Sequence, residues 1–123
     1  MNRQLTIAEL ASLTIPTLSK HNKLYRLARL IRECVHPSLY MFSNIEYLRP
    51  SELAELHHPF SAFALAAQDG ILKDAGLTGP TIGDALKFFE LSHDDLHAFS
   101  CDCGGHLSNE QMARRVEALA ARA

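Results

Sequence analysis

Three helix-start signals in the C-terminal half of the chain constrain its fold more than any other feature. Each places a serine or threonine three residues before an acid or an amide, directly ahead of apolar residues at helical spacing. In this capping-box pattern the two side chains satisfy backbone amides that a helix start leaves without partners. The pairs are Thr81 with Asp84, Ser92 with Asp95 and Ser108 with Gln111. They predict short helices near residues 82–90, 93–100 and 109–121.

The N-terminal half carries the clearest apolar stripe. Thr6 and Glu9 form another capping box, which predicts a short helix at about residues 7–13. Pro16 interrupts that helix, and a long amphipathic helix is predicted from about 17 to 35. The inward stripe of the long helix is Leu24, Leu27, Ala28, Ile31, Cys34 and Val35.

The middle of the chain is less clearly patterned. Residues 36–48 combine strand-like aromatic content with helical spacing, and a short helix or an irregular segment is favoured. A helix is predicted to begin at Glu52 and another, the central core helix, at His58-Pro59. The predicted inward stripe of the core helix is Phe60, Phe63, Ala64, Ala67 and Ile71.

These patterns predict an all-α fold. No pair of segments alternates polar and apolar residues as strands do, and no repeat of fixed period appears. With 123 residues, of which 47% are hydrophobic and 21% charged, the chain is large and apolar enough to form one core. We therefore expect a single helical domain over residues 1–123, a compact bundle of about five to seven short helices.

Export and membrane signals are missing from the sequence. No apolar run approaches the ~20 residues that a membrane-spanning helix requires, and the first residues are mixed and polar rather than signal-like. The odd number of cysteines, three, argues against a disulfide framework. We expect a cytoplasmic protein that does not associate with membranes.

Charge is divided unequally along the chain. Residues 1–49 carry seven Lys and Arg against three Glu, a net +4, and residues 50–123 carry five against eleven acids, a net −6. Neutralisation between the two parts inside a compact fold is the favoured interpretation. Arg26, Arg29 and Arg32 spread around the outer side of the long helix, which predicts a solvated surface rather than a phosphate-binding row. Nucleic acid is therefore not an expected partner.

The main chemical anomaly is residues 93–106, here called the Cys/His segment. It gathers five metal-ligand side chains within fourteen residues: His93, His97, Cys101, Cys103 and His106. Residues four apart share a face of an α-helix, so His93 and His97 would converge and Cys101 would continue that face. Cys103 and His106 flank a Gly-Gly turn that could complete a tetrahedral shell, and zinc is the metal that this donor set suits.

The same segment allows three other interpretations. The Cys101-x-Cys103 spacing is tighter than the C-x2-C pairs of structural zinc sites, so the segment could be an ordinary helix end and turn with exposed histidines. The two cysteines could instead form a readily reduced disulfide. With His97 or His106 as base, one of them could also serve a small cysteine-dependent hydrolase or transferase. Nothing in the sequence marks an oxyanion hole, so an enzyme is not favoured.

A second pattern covers residues 81–99. Its helix, turn and second helix resemble the helix-turn-helix pattern of bacterial transcription regulators over about nineteen residues, with Ser92 capping the would-be recognition helix. The resemblance implies a DNA-binding regulator. Glu90, however, stands where that pattern usually has glycine, and Asp94 and Asp95 would face phosphates. A packing role for this geometry is therefore favoured over DNA binding.

The sequence lacks the common motifs of catalytic sites. Glycine-rich phosphate loops, paired catalytic carboxylates and the H-E-x-x-H motif are absent. We therefore hypothesise a non-enzymatic cytoplasmic helical module that binds or regulates a partner protein, with the Cys/His segment as a metal- or redox-sensitive element. The apolar stripes also allow a homodimer, because a stripe buried against a copy has the same pattern as one buried internally.

Overall fold

Helices make up most of the chain that the structure describes. The computed structural model describes residues 18–35, 39–40, 42, 47–100 and 108–122. Seven helices lie in these ranges: α1 (Lys20–Glu33), α2 (Pro50–Glu55), α3 (Ala62–Ala67), α4 (Gly70–Asp74), α5 (Ile82–Phe89), a 3₁₀ helix (Asp94–Phe99) and α6 (Asn109–Ala121). The predicted all-α bundle is confirmed, while the helix predicted at 7–13 lies outside the described residues. None of the described helices is long and apolar enough to cross a bilayer.

Helices α1 and α6 form the central antiparallel pair. Arg32, near the end of α1, binds Glu110 at the start of α6 with a 2.6 Å contact. At the other end, Nδ1 of His21 lies 3.0 Å from the carbonyl oxygen of Ala120. Each helix buries one apolar face in the same core. The buried residues are Leu24, Leu27, Ala28 and Ile31 of α1 and Met112, Ala113, Val116, Leu119 and Ala120 of α6.

The end of α1 differs from the prediction. The helix stops at Glu33, and Cys34 has an extended backbone with φ −64° and ψ 137°. Cys34 is half-buried and still packs against the core, whereas Val35 is 94% exposed. The predicted inward position of Val35 is wrong because the chain leaves the helix before its periodicity reaches that residue.

The predicted core helix is two helices, α3 and α4. Ser61 caps α3, and the Asp69 carboxylate accepts a 3.1 Å hydrogen bond from the N–H of Leu72, which starts α4 on a new axis. Because the axis changes, the inward stripe changes with it. Ile71, predicted to face inward, is 49% exposed, whereas Leu72 is fully buried. Phe60, also predicted to face inward, precedes the start of α3 and is 51% exposed.

The three C-terminal helix starts lie where their capping pairs predict them. The Thr81 hydroxyl accepts from the N–H of Asp84 before α5, and the pair before α6 exchanges both capping-box hydrogen bonds. Ser92 and Asp95 also bond reciprocally, at 3.0 and 3.3 Å. The helix that follows Ser92 is nevertheless a 3₁₀ helix, so the signal gives the position of a helix start and not the type of helix.

Helix α2 lies against α5 by a close backbone approach. It begins at Pro50, before the start predicted at Glu52, since proline suits the first turn of a helix and the Glu52 carboxylate accepts from the N–H of Arg49 at 2.9 Å. A β-carbon at Gly83 of α5 would lie 2.8 Å from the carbonyl oxygen of Ala54. Only glycine therefore permits this spacing of the two helices.

Leu39, Tyr40 and Phe42 form a strap across the bundle. Each donates its backbone N–H to a different part of the fold: Leu39 to Oδ1 of Asn109 (3.1 Å), Tyr40 to the carbonyl of Phe60 (2.8 Å) and Phe42 to the carbonyl of Phe99 (3.1 Å). The strap thereby connects the start of α6, the approach to α3 and the end of the 3₁₀ helix. Within the ambiguous stretch 36–48, these three residues fit the irregular alternative.

Ion pairs connect the basic and acidic parts of the chain, as internal neutralisation predicts. Arg26 binds Asp69 through two hydrogen bonds, of 2.6 and 3.1 Å. Arg32 bridges Glu110 and Glu117, whose carboxylates raise the pKa of its guanidinium, and it in turn lowers the pKa of both glutamates. The predicted solvated surface is confirmed for the exposed Arg29 and Arg32, whereas Arg26 is half-buried against Asp69.

Candidate functional site

Two of the five predicted metal ligands lie in the described part of the chain. His93 and His97 are both exposed, and His93 occupies the position just before the 3₁₀ helix. Cys101, Cys103 and His106 lie outside the described residues. Among the described residues, no group of three or more His, Cys, Asp or Glu side chains could hold a metal ion. The metal interpretation therefore stays a prediction.

The helix type removes one premise of that prediction. The predicted shared face of His93 and His97 requires α-helical geometry, with 3.6 residues per turn. A 3₁₀ helix has three residues per turn, so positions four apart differ by about a third of a turn. Only His97 lies within the 3₁₀ helix of residues 94–99, since His93 precedes it, so the α-helical face that the prediction assumed is not formed. A shared metal would need donors from outside this helix.

Hydrogen bonds hold the residues on either side of residues 101–107, here called the Cys/His connection. At its start, Nη1 of Arg115 donates to the carbonyls of His97 and Ser100, at 3.2 and 3.4 Å. At its end, the buried Asn109 opens α6 and accepts from the strap. Cys34 follows the end of α1 that lies beside the start of α6. The antiparallel α1–α6 pair thus brings Cys34, remote in sequence, to the end of the bundle where this connection rejoins α6.

Ser100 contains a buried polar atom without a partner. Its residue is only 4% exposed, and its Oγ forms no hydrogen bond in the described structure. By contrast, the equally buried Ser61 uses its Oγ to cap α3. The sequence distinguishes these two serines only in part: Ser61 precedes the apolar run of α3, where a cap is expected, whereas nothing beside Ser100 signals a buried hydroxyl without a partner.

Residues 81–99 contain the turn of the helix-turn-helix resemblance but not its second helix. Glu90 has left-handed backbone angles, φ 55° and ψ 48°, although it is not glycine. The would-be recognition element is a six-residue 3₁₀ helix whose Leu96 and Phe99 are buried in the core. Asp95 binds Arg122 of α6 at 3.2 Å. This geometry suits packing against α6 better than insertion into a DNA groove.

An exposed aromatic surface was not anticipated from the sequence. The rings of Tyr40 and His58 stack with centroids 3.9 Å apart and an interplanar angle of 8°, and the Phe60 ring lies 5.9 Å from that of His58. Tyr40 is 40% exposed and Phe60 51%. We call Tyr40, His58 and Phe60 the aromatic surface. The sequence signal at His58-Pro59 is typical of a helix junction, and nothing in it indicates pairing with a tyrosine eighteen residues earlier.

Backbone hydrogen bonds fix this surface to the fold. The N–H of Tyr40 donates to the carbonyl of Phe60, and Nδ1 of His58 accepts from the N–H of Phe60 at 3.1 Å. Beneath it, the Tyr40 ring meets the buried Phe42 ring edge-on at 5.5 Å. The aromatic side chains are therefore held in place before any ligand arrives.

The chain was compared with known proteins by family, by sequence and by structure. No protein-family model matches it, no curated protein matches its sequence, and no solved structure matches its fold.

Proposed function

We propose that this chain is a non-enzymatic cytoplasmic helical module that binds a partner protein through the aromatic surface. The observation that carries the proposal is the stacked, half-exposed Tyr40–His58 pair beside the exposed Phe60. Clustered exposed aromatic side chains on a small domain are typical of interaction sites, because their burial releases large apolar areas from water.

Preorganisation supports this proposal. Tyrosine and other rigid aromatic residues are enriched among the residues that dominate binding energy, since few rotatable bonds are frozen on association. Tyr40 and His58 already restrict each other's rings, and the strap restricts their backbones. Because folding has already ordered these side chains, binding a partner costs less of their conformational entropy.

The neighbouring charge indicates the chemistry of the partner. Glu55, exposed at the end of α2, lies three residues before His58 and forms no ion pair with the described residues. Exposed aromatic faces favour a cationic side chain through cation–π contact, and the exposed Glu55 adds a charge of the sign that attracts one. We propose that the occupant is a partner-protein segment with an apolar anchor next to an arginine or lysine.

Loss of the aromatic surface is expected to weaken this binding. The test is the double variant Tyr40→Ala/Phe60→Ala, with Tyr25→Ala/Tyr47→Ala as its control, because Tyr25 and Tyr47 are exposed aromatic residues outside the surface. Proteins captured from lysate by the full chain are purified individually, and their affinity is measured by calorimetry. We expect the aromatic variant to weaken binding by about tenfold or more, the loss typical of interface hot spots, and the control to weaken it less than about twofold.

Equal affinities for the two double variants would contradict this proposal. Circular dichroism on both proteins shows whether either variant has lost its fold, and a single Phe60→Ala variant repeats the measurement with the smaller change.

The Cys/His segment is proposed as the sensing element of the module. Its support is the hydrogen bonding of the described residues on either side of 101–107, from Arg115 to Ser100 and from Leu39 to Asn109. Elemental analysis of untagged protein purified without chelators is expected to show near-stoichiometric zinc, and the Cys101→Ser/Cys103→Ser variant to lose it. If neither protein contains metal and thiol labelling shows no reactive cysteine, the sensing role is wrong, while the aromatic surface is judged by its own test.

A further inference from the structure

We propose that a charged cleft between α1, α5 and the turn after α4 binds a small zwitterion of the amino-acid class. The cleft has a volume of about 390 Å³, within the usual range of small-molecule sites. The residues that matter for recognition are Lys23, Gly76, Asp84, Lys87, Phe88 and Glu90. This site is separate from the aromatic surface and from the Cys/His segment.

The charges that line the cleft are not neutralised by one another. Elsewhere in the described chain, seven ion pairs join opposite charges. None of these involves Lys23, Asp84, Lys87 or Glu90, although two cations and two anions surround one cavity. Opposite charges that share a cleft but remain apart complement a ligand that itself carries both signs.

The cationic side of the cleft is positioned by α5. Nζ of Lys23 donates to the carbonyl of Phe88 at 3.1 Å and lies 4.3 Å from the centroid of the Phe88 ring. An ammonium group has three N–H donors, and this contact uses one of them. Lys23 is half-buried, so its charge is less screened than that of a lysine in open solvent. It is therefore well placed to bind a carboxylate.

The anionic side is held just as firmly. The two carboxylate oxygens of Asp84 accept from the hydroxyls of Thr78 and Thr81, at 3.2 and 2.8 Å. Each oxygen has a second lone pair, so the fixed carboxylate can also accept from a ligand ammonium group. A cation and an anion that line the same cleft can each bind one of the two charged ends of an α-amino acid.

The cleft also has room for an apolar side chain. Gly76 has φ 122° at the turn after α4, and a β-carbon there would lie 4.0 Å from the Phe88 ring. Because glycine carries no side chain, the cleft stays open beside Ala75 and Phe88. We therefore expect amino acids with apolar side chains, such as L-leucine or L-phenylalanine, to bind better than glycine.

Titration of the full chain with these amino acids tests the proposal. In ¹H–¹⁵N spectra, L-leucine or L-phenylalanine is expected to cause saturable shifts at the amides of Gly76 and Phe88. N-acetyl-L-leucine lacks the cation and L-leucinamide lacks the anion, and each is expected to bind at least about tenfold more weakly than L-leucine. Glycine carries both charges but no side chain, so the difference between its affinity and that of L-leucine measures the contribution of the apolar side chain.

Variants then test the cationic side of the cleft. Lys23→Met is expected to weaken L-leucine binding, and Lys87→Met provides a second test at an exposed position that is less able to disturb folding. Lys73→Met, an exposed lysine of α4 that does not line the cleft, is the matched control. The proposal is overturned if neither amino acid gives saturable shifts, if the single-charge analogues bind equally well, or if the Lys73 variant loses binding as much as the Lys23 and Lys87 variants.

Discussion

Replacing Phe63 with alanine is expected to lower the free energy of unfolding by about 3–5 kcal/mol, the range for deleting a buried phenylalanine. Phe63 is 1% exposed, and its ring lies 4.6 Å from that of Phe99 and 6.1 Å from that of Phe42. It thus connects the strap with the end of the 3₁₀ helix. The cavity would remove contacts from both, and the loss is a large part of the roughly 5–15 kcal/mol that stabilises a domain of this size.

Phe60, three residues earlier, is the matched control. It is 51% exposed, so Phe60→Ala is expected to cost less than about 1 kcal/mol. Urea unfolding of the two variants, followed by circular dichroism, measures the difference. Equal losses would mean that the buried aromatic cluster does not carry the stability assigned to it. Phe63→Leu keeps most of the volume and, at a cost of roughly 1.5 kcal/mol, keeps the measurement possible if the alanine variant fails to fold.

Replacing Asp69 with alanine is expected to cost about 2–3 kcal/mol, because the residue has two roles. Its carboxylate caps α4 through the N–H of Leu72, and it pairs with Arg26 while only 8% exposed. Asp69→Asn keeps an acceptor for the cap and loses the charge, so we expect a smaller loss of about 1–2 kcal/mol. The exposed Arg29–Glu33 pair supplies the control, and Glu33→Ala should change stability by less than about 0.5 kcal/mol.

The contribution of Asp69 is also expected to depend on pH. Its hydrogen bonds from Arg26 hold the pKa of the carboxyl below its ordinary value. A lowered folded-state pKa stabilises the fold above the ordinary carboxyl pKa of about 4, and that stabilisation is lost as the pH falls through the folded-state value. The stability gap between the natural chain and Asp69→Asn should therefore be largest near neutral pH and shrink in acid. A gap that is unchanged between pH 7 and pH 3 would show that the charge of Asp69 is not what stabilises α4.

The candidate sites could be predicted from the sequence only in part. The Cys/His segment stands out because its donors are close along the chain, and local spacing is what a sequence displays. Tyr40 and His58 are eighteen residues apart and belong to no common helix, and Lys23 and Asp84 lie on two different helices. Their proximity arises from the packing of α1, the strap and α5, so no motif could indicate it.

The sequence by itself determined where most of the helices start and which face of α1 is buried. Those properties depend on neighbouring residues: Thr81, Ser92 and Ser108 cap within three positions, and apolar side chains repeat with the helical turn. Only the tertiary structure decided that Arg26 pairs with Asp69, forty-three residues away, and that Tyr40 stacks on His58. The reason is that the energy of such contacts appears only when the packed helices bring together partners that are distant in the sequence.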